Sequence, residues 1–397
     1  MTRLKILLVA YVTTGGEWSA VLNLVRAVKK FTPHVSFALI GFGQEPPQEG
    51  CPFVKTLFIQ QAVCLPPFSF FKKLWKDLFR LRQAIKSVNR SYGPDYILVT
   101  HYLAVFSLLS FSFRMTIKSF FLFHGTKGAL RLEGRELNYR EFCVLILERM
   151  ALLLNNAIIT PSYAGELLIR SMLGVFGKGK NIYIVPNCYE DIFLNSHAGN
   201  TSINRFSTRK KPSQHIILYC GRIVKYKGLE RLLDAFKIYA AQDGNAVLYI
   251  VAPSRNHDDR VLYSLQVKMR DEQINKKVFL LYDVSRKMMP QLYKASSVMV
   301  LPSELEISSL VILESLLCGT PCITTRVGNA PEILSQIDAT LLMENNTPRE
   351  IVKKLEYFFH ISKNRITTIK KLCRGVAVKY TPERTARTFL EIISRHA

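Results

Sequence analysis

Short apolar runs alternate with amphipathic segments along most of the chain, and this alternation restricts the fold more than any other feature of the sequence. In the first half, the pattern predicts buried strands at 4–10, 35–40, 96–100, 119–123 and 157–160. The segments between them have the spacing of helices that bury one face. Because a parallel sheet requires a helical crossover between strands, the alternation predicts a parallel sheet flanked by helices.

The alternation stops at a polar stretch, 193–214, and then starts again, which predicts a second sheet. Its strands are predicted at 216–220, 246–251, 278–281, 298–301 and 322–324, and a single helix is predicted near 349–373. A chain of 397 residues is also long for a single domain. We therefore predict a Rossmann-like domain at 1–190, a linker at 191–214, a second Rossmann-like domain at 215–380 and a last helix within 381–397.

The charge of the chain favours anionic partners. It carries 54 Lys and Arg residues against 30 Asp and Glu residues, a formal net charge of +24. Nucleic acid, an anionic membrane surface and phosphate-bearing small molecules all fit this charge. Because zinc-finger spacing, the aromatic RNA-binding consensus and basic-zipper heptads are missing from the sequence, no nucleic-acid partner is predicted.

The sequence predicts a cytoplasmic protein. Its eight cysteines include no Cys-x-x-Cys pair, which favours buried thiols in a reducing compartment over disulfides or a metal site. The apolar run 102–113 ends at Arg114 and is too short to cross a bilayer. The sequence also lacks an Asp-x-Asp motif, so no metal ion is predicted.

The segment after the fourth strand of the second half opens a helix and carries two carboxylates, Glu306 and Glu314, with seven residues between them. The backbone amides of Ser308, Ser309 and Leu310 are expected at the helix N-terminus, where unsatisfied N–H groups bind phosphate. The carboxylates suit sugar hydroxyls, because each carboxylate oxygen accepts a separate proton.

Both carboxylates also fit an interpretation in which neither has a functional role. Glu306 would then be a solvated loop charge and Glu314 a charge on a helix surface. Against this, Glu314 lies in the apolar run 310–317, where a charge is costly unless it has a partner.

A second motif, 221–228, directly follows the strand predicted at 216–220. Gly221 permits a sharp turn, Arg222 offers a planar fork for phosphate oxygens, and Lys227 adds a second cation. A solvated basic turn would explain either cation alone. The pair at the carboxyl end of a strand favours a phosphate site, because ligands bind at that edge of a doubly wound sheet.

In this order and about eighty residues apart, the two motifs resemble those of family 4 retaining glycosyltransferases, also called glycosyl transferases group 1, which have the GT-B architecture. The resemblance covers nearly the whole chain. It includes Gly15-Gly16, His124-Gly125, Val-Pro-Asn at 185–187, and the segments 319–328 and 332–333. It implies an α/β fold of two Rossmann-like doubly wound domains facing a cleft, with a last helix that crosses back to the amino-terminal domain.

The resemblance implies that the carboxyl-terminal domain binds a nucleotide-sugar donor. Arg222 and Lys227, beside the turn at Gly221, would stabilise the charge that grows on the diphosphate as the sugar leaves. Glu314 would hold the ribose and Glu306 the transferred sugar. The catalytic set implied in this way is His124, Glu306, Arg222 and Lys227, with no metal ion, cofactor or covalent nucleophile.

The resemblance assigns the acceptor to the amino-terminal domain. Gly16 would let its backbone approach the donor phosphate, and His124 would lie beside the reacting sugar. Gly15 and His101, which follow predicted strands, are further candidates on the acceptor side.

The chain departs from the family pattern at several positions. Ile307, Ser308 and Ser309 stand where the family carries Pro-aromatic-Gly, and Asn329 replaces a common glycine. The nucleotide and the sugar therefore stay open. Two other functions on the same scaffold also stay open, a nucleotide-sugar epimerase and a non-catalytic nucleotide-sugar-binding protein.

The segment from Phe70 to Arg90 has the pattern of a basic amphipathic helix, with Trp75 among the residues of its apolar face. One interpretation packs this face on the sheet. The other lays the helix on an anionic membrane surface, with Phe79 exposed. It predicts a protein on the inner face of the membrane and a lipid-linked or cell-surface glycan or glycolipid acceptor, in polysaccharide or lipopolysaccharide biosynthesis.

Overall fold

The computed structural model describes residues 4–12, 16–43, 52–59, 69–109, 117–125, 139–194, 214–255, 257–271 and 274–396. The chain forms two compact units, one built from Met1–Cys188 with Pro382–Ala397 and the other from Tyr189–Thr381. The predicted boundary at 190 lies two residues beyond this division. The predicted linker 191–214 begins with a short helix of the second unit, and its residues 195–213 lie outside the described ranges.

The first unit contains a seven-stranded parallel sheet. Its strands are β1 (Lys5–Val12), β2 (Ser36–Gly43), β3 (Lys55–Ile59), β4 (Tyr96–Val99), β5 (Lys118–Leu122), β6 (Ala157–Thr160) and β7 (Ile182–Ile184). The helices between them are α1 (Gly16–Phe31), α2 (Ser69–Tyr92), α3 (Tyr102–Leu109), α4 (Tyr139–Leu154) and α5 (Tyr163–Leu173), which is followed by a 3-10 turn (Gly174–Gly177). The strand order is β3-β2-β1-β4-β5-β6-β7.

The second unit contains a six-stranded parallel sheet. Its strands are β8 (His215–Cys220), β9 (Ala246–Ala252), β10 (Val278–Tyr282), β11 (Val298–Leu301), β12 (Cys322–Thr325) and β13 (Leu342–Met343). Its helices are α6 (Asp191–Leu194), α7 (Leu229–Gln242), α8 (Asp259–Met269), α9 (Met289–Ala295), α10 (Leu310–Leu317), α11 (Ala330–Leu334), α12 (Pro348–His360) and α13 (Lys363–Ala377), with 3-10 turns at Lys225–Lys227 and Ala339–Leu341. The strand order is β10-β9-β8-β11-β12-β13.

Both sheets have the strand order of a doubly wound fold, so the predicted pair of Rossmann-like α/β domains is confirmed. In each sheet the chain builds from a first strand to one edge and then returns to build the other half. The direction changes between β1 and β4 in the first sheet and between β8 and β11 in the second. Loops that leave the carboxyl ends of these strand pairs surround the crevice where such folds bind ligands.

The central strands form because helices can cover both of their faces. All seven residues of β9 are buried, as are all residues of β4, β6 and β11. Such continuous apolar runs are stable only as the interior of a parallel sheet with helices on both sides. This burial explains why the apolar runs predicted these strands.

Polar caps divide one segment that the sequence pattern predicted as a single helix, 349–373. The chain leaves helical geometry at Ile361, and the hydroxyl of Ser362 accepts a hydrogen bond from the amide of Arg365 at 3.2 Å. This hydrogen bond caps the N-terminus of α13. The hydroxyl of Thr347 caps the N-terminus of α12 in the same way. The prediction of one helix was wrong because a serine cap can start a new helix inside a continuous amphipathic pattern.

The last helix, α14 (Pro382–Arg395), belongs to the first unit and packs against α1. Phe389 is fully buried in the core of this unit. The hydroxyl of Thr385 donates to the carbonyl oxygen of Pro186 at 2.8 Å, and the hydroxyl of Tyr183 lies 3.0 Å from Nε2 of His396. These contacts anchor both ends of α14.

Helix α2 packs on the first sheet through Leu81, Ile85 and Val88, which are buried. Trp75 was predicted on this apolar face, but its side chain is 72% exposed, and that of Phe79 is 62% exposed. Leu81, Ile85 and Val88, spaced three or four residues apart, define the face of α2 that contacts the sheet. Trp75 lies on a different side of the helix, so its side chain points away from the sheet. Among the described residues, no helix combines the length and apolar content that crossing a bilayer requires.

We predict that Phe389→Ala loosens the first unit only. Removing a buried phenylalanine side chain costs about 3–5 kcal/mol of stability, so the amides of α1 and α14 are expected to exchange hydrogen faster. Arg387→Ala, on the exposed side of the same helix, is the matched control and should leave exchange unchanged. Faster exchange in the strands of the second unit, with α1 unaffected, would contradict this packing.

Candidate functional site

The loops that follow β8 and β11 meet at the point where the second sheet changes direction. Nζ of Lys227, after β8, lies 2.5 Å from Oε1 of Glu306, after β11. The hydroxyl of Ser303 donates to the same carboxylate oxygen at 2.9 Å. Only 14% of the lysine side chain and 11% of the glutamate side chain are exposed. The structure therefore brings two predicted site residues together as an ion pair that is largely withdrawn from water.

Arg222 lies beside this pair. One nitrogen of its guanidinium group donates to the hydroxyl of Tyr226 at 2.5 Å, and its carbonyl oxygen accepts from the hydroxyl of Tyr219 at 2.9 Å. The guanidinium carbon and Nζ of Lys227 each lie 5.9 Å from the centre of the Tyr226 ring. Tyr226 therefore contacts both predicted cations. Gly221 connects their loop to the end of β8.

Two glycines with positive φ angles allow the loops to approach closely. Gly228 has φ +69°, and a Cβ atom there would overlap the carbonyl oxygen of Pro302. Gly328 has φ +59°, and a Cβ atom there would lie 3.0 Å from Cβ of Glu306. Since side chains rarely adopt such φ angles and the space is occupied, both positions require glycine. The close approach of the backbones at these glycines thus determines the position of Glu306.

The N-terminus of α10 differs from the expectation of three unsatisfied amides. The amide of Ser309 donates to Oδ1 of Asn329 at 3.1 Å, and Nδ2 of Asn329 donates to the hydroxyl of Ser308 at 3.0 Å. The expectation was wrong for Ser309, because the asparagine that stands where glycine is common brings an acceptor to this amide. Leu310 is the first residue of α10.

Glu314 lies inside α10 and is 2% exposed. Its Oε1 accepts from Nη2 of Arg286 at 2.6 Å, and its Oε2 accepts from the hydroxyl of Tyr293 at 3.0 Å. The interpretation of Glu314 as a charge on the helix surface is therefore wrong. The partner that a buried charge requires is Arg286, which the sequence analysis did not identify.

Arg286 connects Glu314 to a second carboxylate. Its Nε and Nη2 also donate to Oε1 of Glu190, at 3.0 and 2.8 Å, and its guanidinium carbon lies 4.6 Å from the centre of the Phe193 ring. Burial alone would lower the pKa of Arg286, but Glu314 and Glu190 raise it well above its ordinary value. The sequence feature that could have identified Arg286 is its position just after β10, at the carboxyl edge of the sheet.

In the first unit, His101 and His124 line a cavity of about 70 Å³ at the carboxyl ends of β1, β4 and β5. Nδ1 of His101 accepts from the amide of Leu103 at 3.2 Å. Burial lowers the pKa of His124 to about 4. Gly16 begins α1, whose next two residues also line the cavity. The predicted residue Gly15 lies outside the described part of the chain.

The described residues contain no group of three or more His, Cys, Asp or Glu side chains placed to hold a metal ion. The charged groups at the second sheet instead form two separate arrangements. Lys227 and Arg222 lie beside Glu306, and Arg286 lies between Glu190 and Glu314. These arrangements offer cations for an anionic group and carboxylates for hydroxyl groups at one edge of the sheet.

Residues 200–371 match the sequence model of the family described as Glycosyl transferases group 1, which confirms the predicted resemblance to this family over that range. The chain is 28% identical over 154 residues to a mannosylfructose-phosphate synthase from Agrobacterium fabrum, a match that covers 37% of this chain and 33% of the relative. It is 25% identical over 244 residues to the capsular polysaccharide biosynthesis glycosyltransferase CapM from Staphylococcus aureus, covering 58% of this chain and 59% of the relative. The chain thus spans less than two thirds of either relative.

The fold is similar to that of solved glycosyltransferases. A sucrose-phosphate synthase from Thermosynechococcus elongatus superimposes with a TM-score of 0.82 at 19% identity, and the match covers 99% of both chains. At this identity the likeness concerns the fold alone. It confirms the predicted GT-B fold with its two Rossmann-like domains.

We predict that His124 makes stability depend on pH. The unfolded chain binds a proton at this histidine near pH 6.5, whereas the folded chain resists protonation until about pH 4. The free energy of unfolding should therefore fall as the pH decreases from 6.5 to 4, and more steeply in the parent than in His124→Gln. Urea unfolding at several pH values measures both slopes. Parallel curves for the two proteins would contradict the buried neutral imidazole.

Proposed function

We propose that this chain is a retaining glycosyltransferase that moves a hexosyl residue from a nucleoside-diphosphate sugar to a glycan acceptor. The observation that carries the proposal is the largely buried ion pair of Lys227 and Glu306, with Arg222 beside it, at the edge of the second sheet. Cations and a carboxylate side by side match a donor that carries a diphosphate on one side and sugar hydroxyls on the other. The family match over 200–371 supports the same chemistry.

In this proposal the two cations act on the leaving group. Negative charge grows on the diphosphate as the bond to the sugar breaks, and Arg222 and Lys227 stabilise that charge in a site already arranged for it. Glu306 then accepts hydrogen bonds from hydroxyls of the transferred sugar. The hydroxyl of Ser303 keeps its carboxylate in place.

Glu314 would bind the ribose of the donor. Arg286 and Tyr293 donate to its two oxygens, which fixes the position of the carboxylate. Each oxygen still has a lone pair for a ribose hydroxyl. Arg286 is thus a positioning residue. The nucleotide sugar is a substrate, and the proposal includes no cofactor, no metal ion and no covalent nucleophile, since the leaving phosphate would take the acceptor proton.

We predict that Arg222→Ala abolishes donor binding. In a thermal-shift screen of UDP-, GDP-, ADP- and dTDP-sugars, a donor at a hundred times its dissociation constant should stabilise the parent by about 2.7 kcal/mol. Arg222→Ala should lose this shift. Arg326→Ala, which removes a half-exposed arginine paired with Glu344 on the same unit, should keep it. A parent-like response of Arg222→Ala would place the donor elsewhere.

The reaction products distinguish the proposed activity from the two alternative functions, a nucleotide-sugar epimerase and a non-catalytic binding protein. A glycosyltransferase releases nucleoside diphosphate and joins the sugar to an acceptor. An epimerase changes the sugar without requiring an acceptor, and a binding protein gives the thermal shift without any release. Retention of the anomeric configuration in the product, read by NMR, supports the retaining mechanism.

The acceptor we propose is a lipid-linked or cell-surface glycan, reached from the cytoplasmic face of the membrane. Similarity to a capsular polysaccharide biosynthesis glycosyltransferase supports this class of acceptor. Helix α2 supports peripheral membrane binding, because Trp75 and Phe79 are exposed one helical turn apart and Lys72, Lys76 and Arg80 are exposed with them. Aromatic side chains flanked by cations suit the interface of an anionic bilayer.

We predict that replacing both exposed aromatic residues weakens membrane binding. The parent should co-sediment with vesicles of phosphatidylglycerol and phosphatidylcholine but not with phosphatidylcholine alone. Trp75→Ser with Phe79→Ser should lower the bound fraction at least tenfold, since two buried aromatic side chains contribute about 1.5–3 kcal/mol each. Leu372→Ser, at an exposed apolar residue of the second unit, is the control. Equal recovery with both vesicle types would contradict membrane binding.

A further inference from the structure

The loop 302–306, which carries the carboxylate of the ion pair, is fixed by polar groups of other elements. The hydroxyl of Thr325, in β12, donates to the carbonyl oxygen of Ser303, a residue that is fully buried. The amide of Glu304 donates to the carbonyl oxygen of Tyr226, in the turn after β8, at 2.7 Å. Because buried backbone groups are costly unless they are paired, these bonds determine the path of the loop.

Asn346, which follows β13, is a third anchor of this loop. Its Nδ2 donates to the carbonyl oxygen of Pro302 at 3.1 Å and to Oε1 of Glu304 at 3.3 Å. The same carboxylate oxygen accepts a hydrogen bond from Arg231. The NH₂ group of an asparagine has two hydrogens, and here both are directed to the loop. One side chain thus binds the loop through its backbone and through its own acid.

Asn346 also contacts the turn that carries the lysine of the ion pair. A Cβ atom at Gly228 would lie 3.3 Å from Nδ2 of Asn346. This turn is closed by a backbone bond of its own, because the amide of Lys227 donates to the carbonyl oxygen of Val224 at 3.1 Å. Without Asn346 the turn therefore keeps its bond, whereas the loop 302–306 loses an anchor.

We propose that Asn346 is a positioning residue of the donor site. It holds the loop 302–306 where the carboxylate of Glu306 meets Lys227 and, in the proposed function on which this inference rests, the hydroxyls of the transferred sugar. Hydrogen bonds to a carboxylate depend on distance and angle, so a displaced loop weakens them. Asn346 acts on the sugar through Glu306.

The proposal separates the binding of the sugar from the binding of the nucleotide. A nucleoside diphosphate lacks the sugar that Glu306 would bind, and Arg222 and Lys227 would still hold its phosphates. Asn346→Ala should bind the nucleotide sugar about tenfold more weakly, because a hydrogen bond to a charged group contributes this much when its geometry is good. It should bind the nucleoside diphosphate like the parent. Isothermal titration calorimetry measures both affinities, with the nucleotide sugar that gives the largest thermal shift.

Two further variants test whether the N–H donors of Asn346 are responsible. Asn346→Asp keeps the shape of the side chain but removes both donors, so it should show the same selective loss. Asn345→Ala is the matched control. The Oδ1 atom of Asn345 accepts from the amide and the hydroxyl of Thr347, at 3.1 and 2.6 Å, away from the loop 302–306. This control should bind both ligands like the parent.

A double-mutant cycle tests whether Asn346 acts through Glu306. Glu306→Gln removes the charge that would bind the sugar. In this background Asn346→Ala should cause no further loss of affinity for the nucleotide sugar, because the effects of residues that act through one contact are not additive. A merely structural role of Asn346 would add the same loss in both backgrounds.

Three outcomes would overturn the inference. They are an unchanged affinity of Asn346→Ala for the nucleotide sugar, an equal loss of affinity for both ligands, and additive losses in the cycle with Glu306→Gln. Failure of the proposed function would instead appear in the parent, as binding of neither the nucleotide sugar nor the nucleoside diphosphate. The two failures are therefore distinguishable.

Discussion

The ion pair between Lys227 and Glu306 is the interaction on which the second unit's site depends. It joins the loops that leave two neighbouring strands, β8 and β11, where the sheet changes direction. Because both side chains are largely buried, removing one partner would leave an uncompensated charge, which is strongly destabilising. Gly228 and Gly328 allow the backbones to come close enough for the pair to form. The site is therefore arranged before any ligand enters.

The described residues at the carboxyl ends of the strands differ between the two units. At the second sheet, Arg222 and Lys227 accompany Glu306, and Arg286 balances two carboxylates. In the first unit, the described wall of the cavity contains acids and aromatic rings.

Much of the fold could be predicted from the sequence, and the reason is the burial of parallel strands on both faces. Runs such as that of β9 are apolar throughout and have no other stable environment. Strands β3, β7 and β13 were not predicted. Of these, β7 and β13 have only three and two residues, which carry no recognisable period. Lys227 and Glu306 were predicted as parts of one site, but their ion pair was not predicted, since contacts between distant loops depend on strand order. Arg286 and the contact of Asn329 with Ser309 were missed for the same reason.

The central claim is that the second unit grips the diphosphate of a nucleotide with Arg222 and Lys227 and its ribose with Glu314. A crystal structure of the chain with the nucleoside diphosphate of its best-stabilising donor tests this most directly. The account predicts phosphate oxygens within about 3 Å of both cations, and ribose hydroxyls at the same distance from the Glu314 carboxylate. A nucleotide bound away from these side chains, with Glu314 in contact with Arg286 and Tyr293 alone, would contradict it.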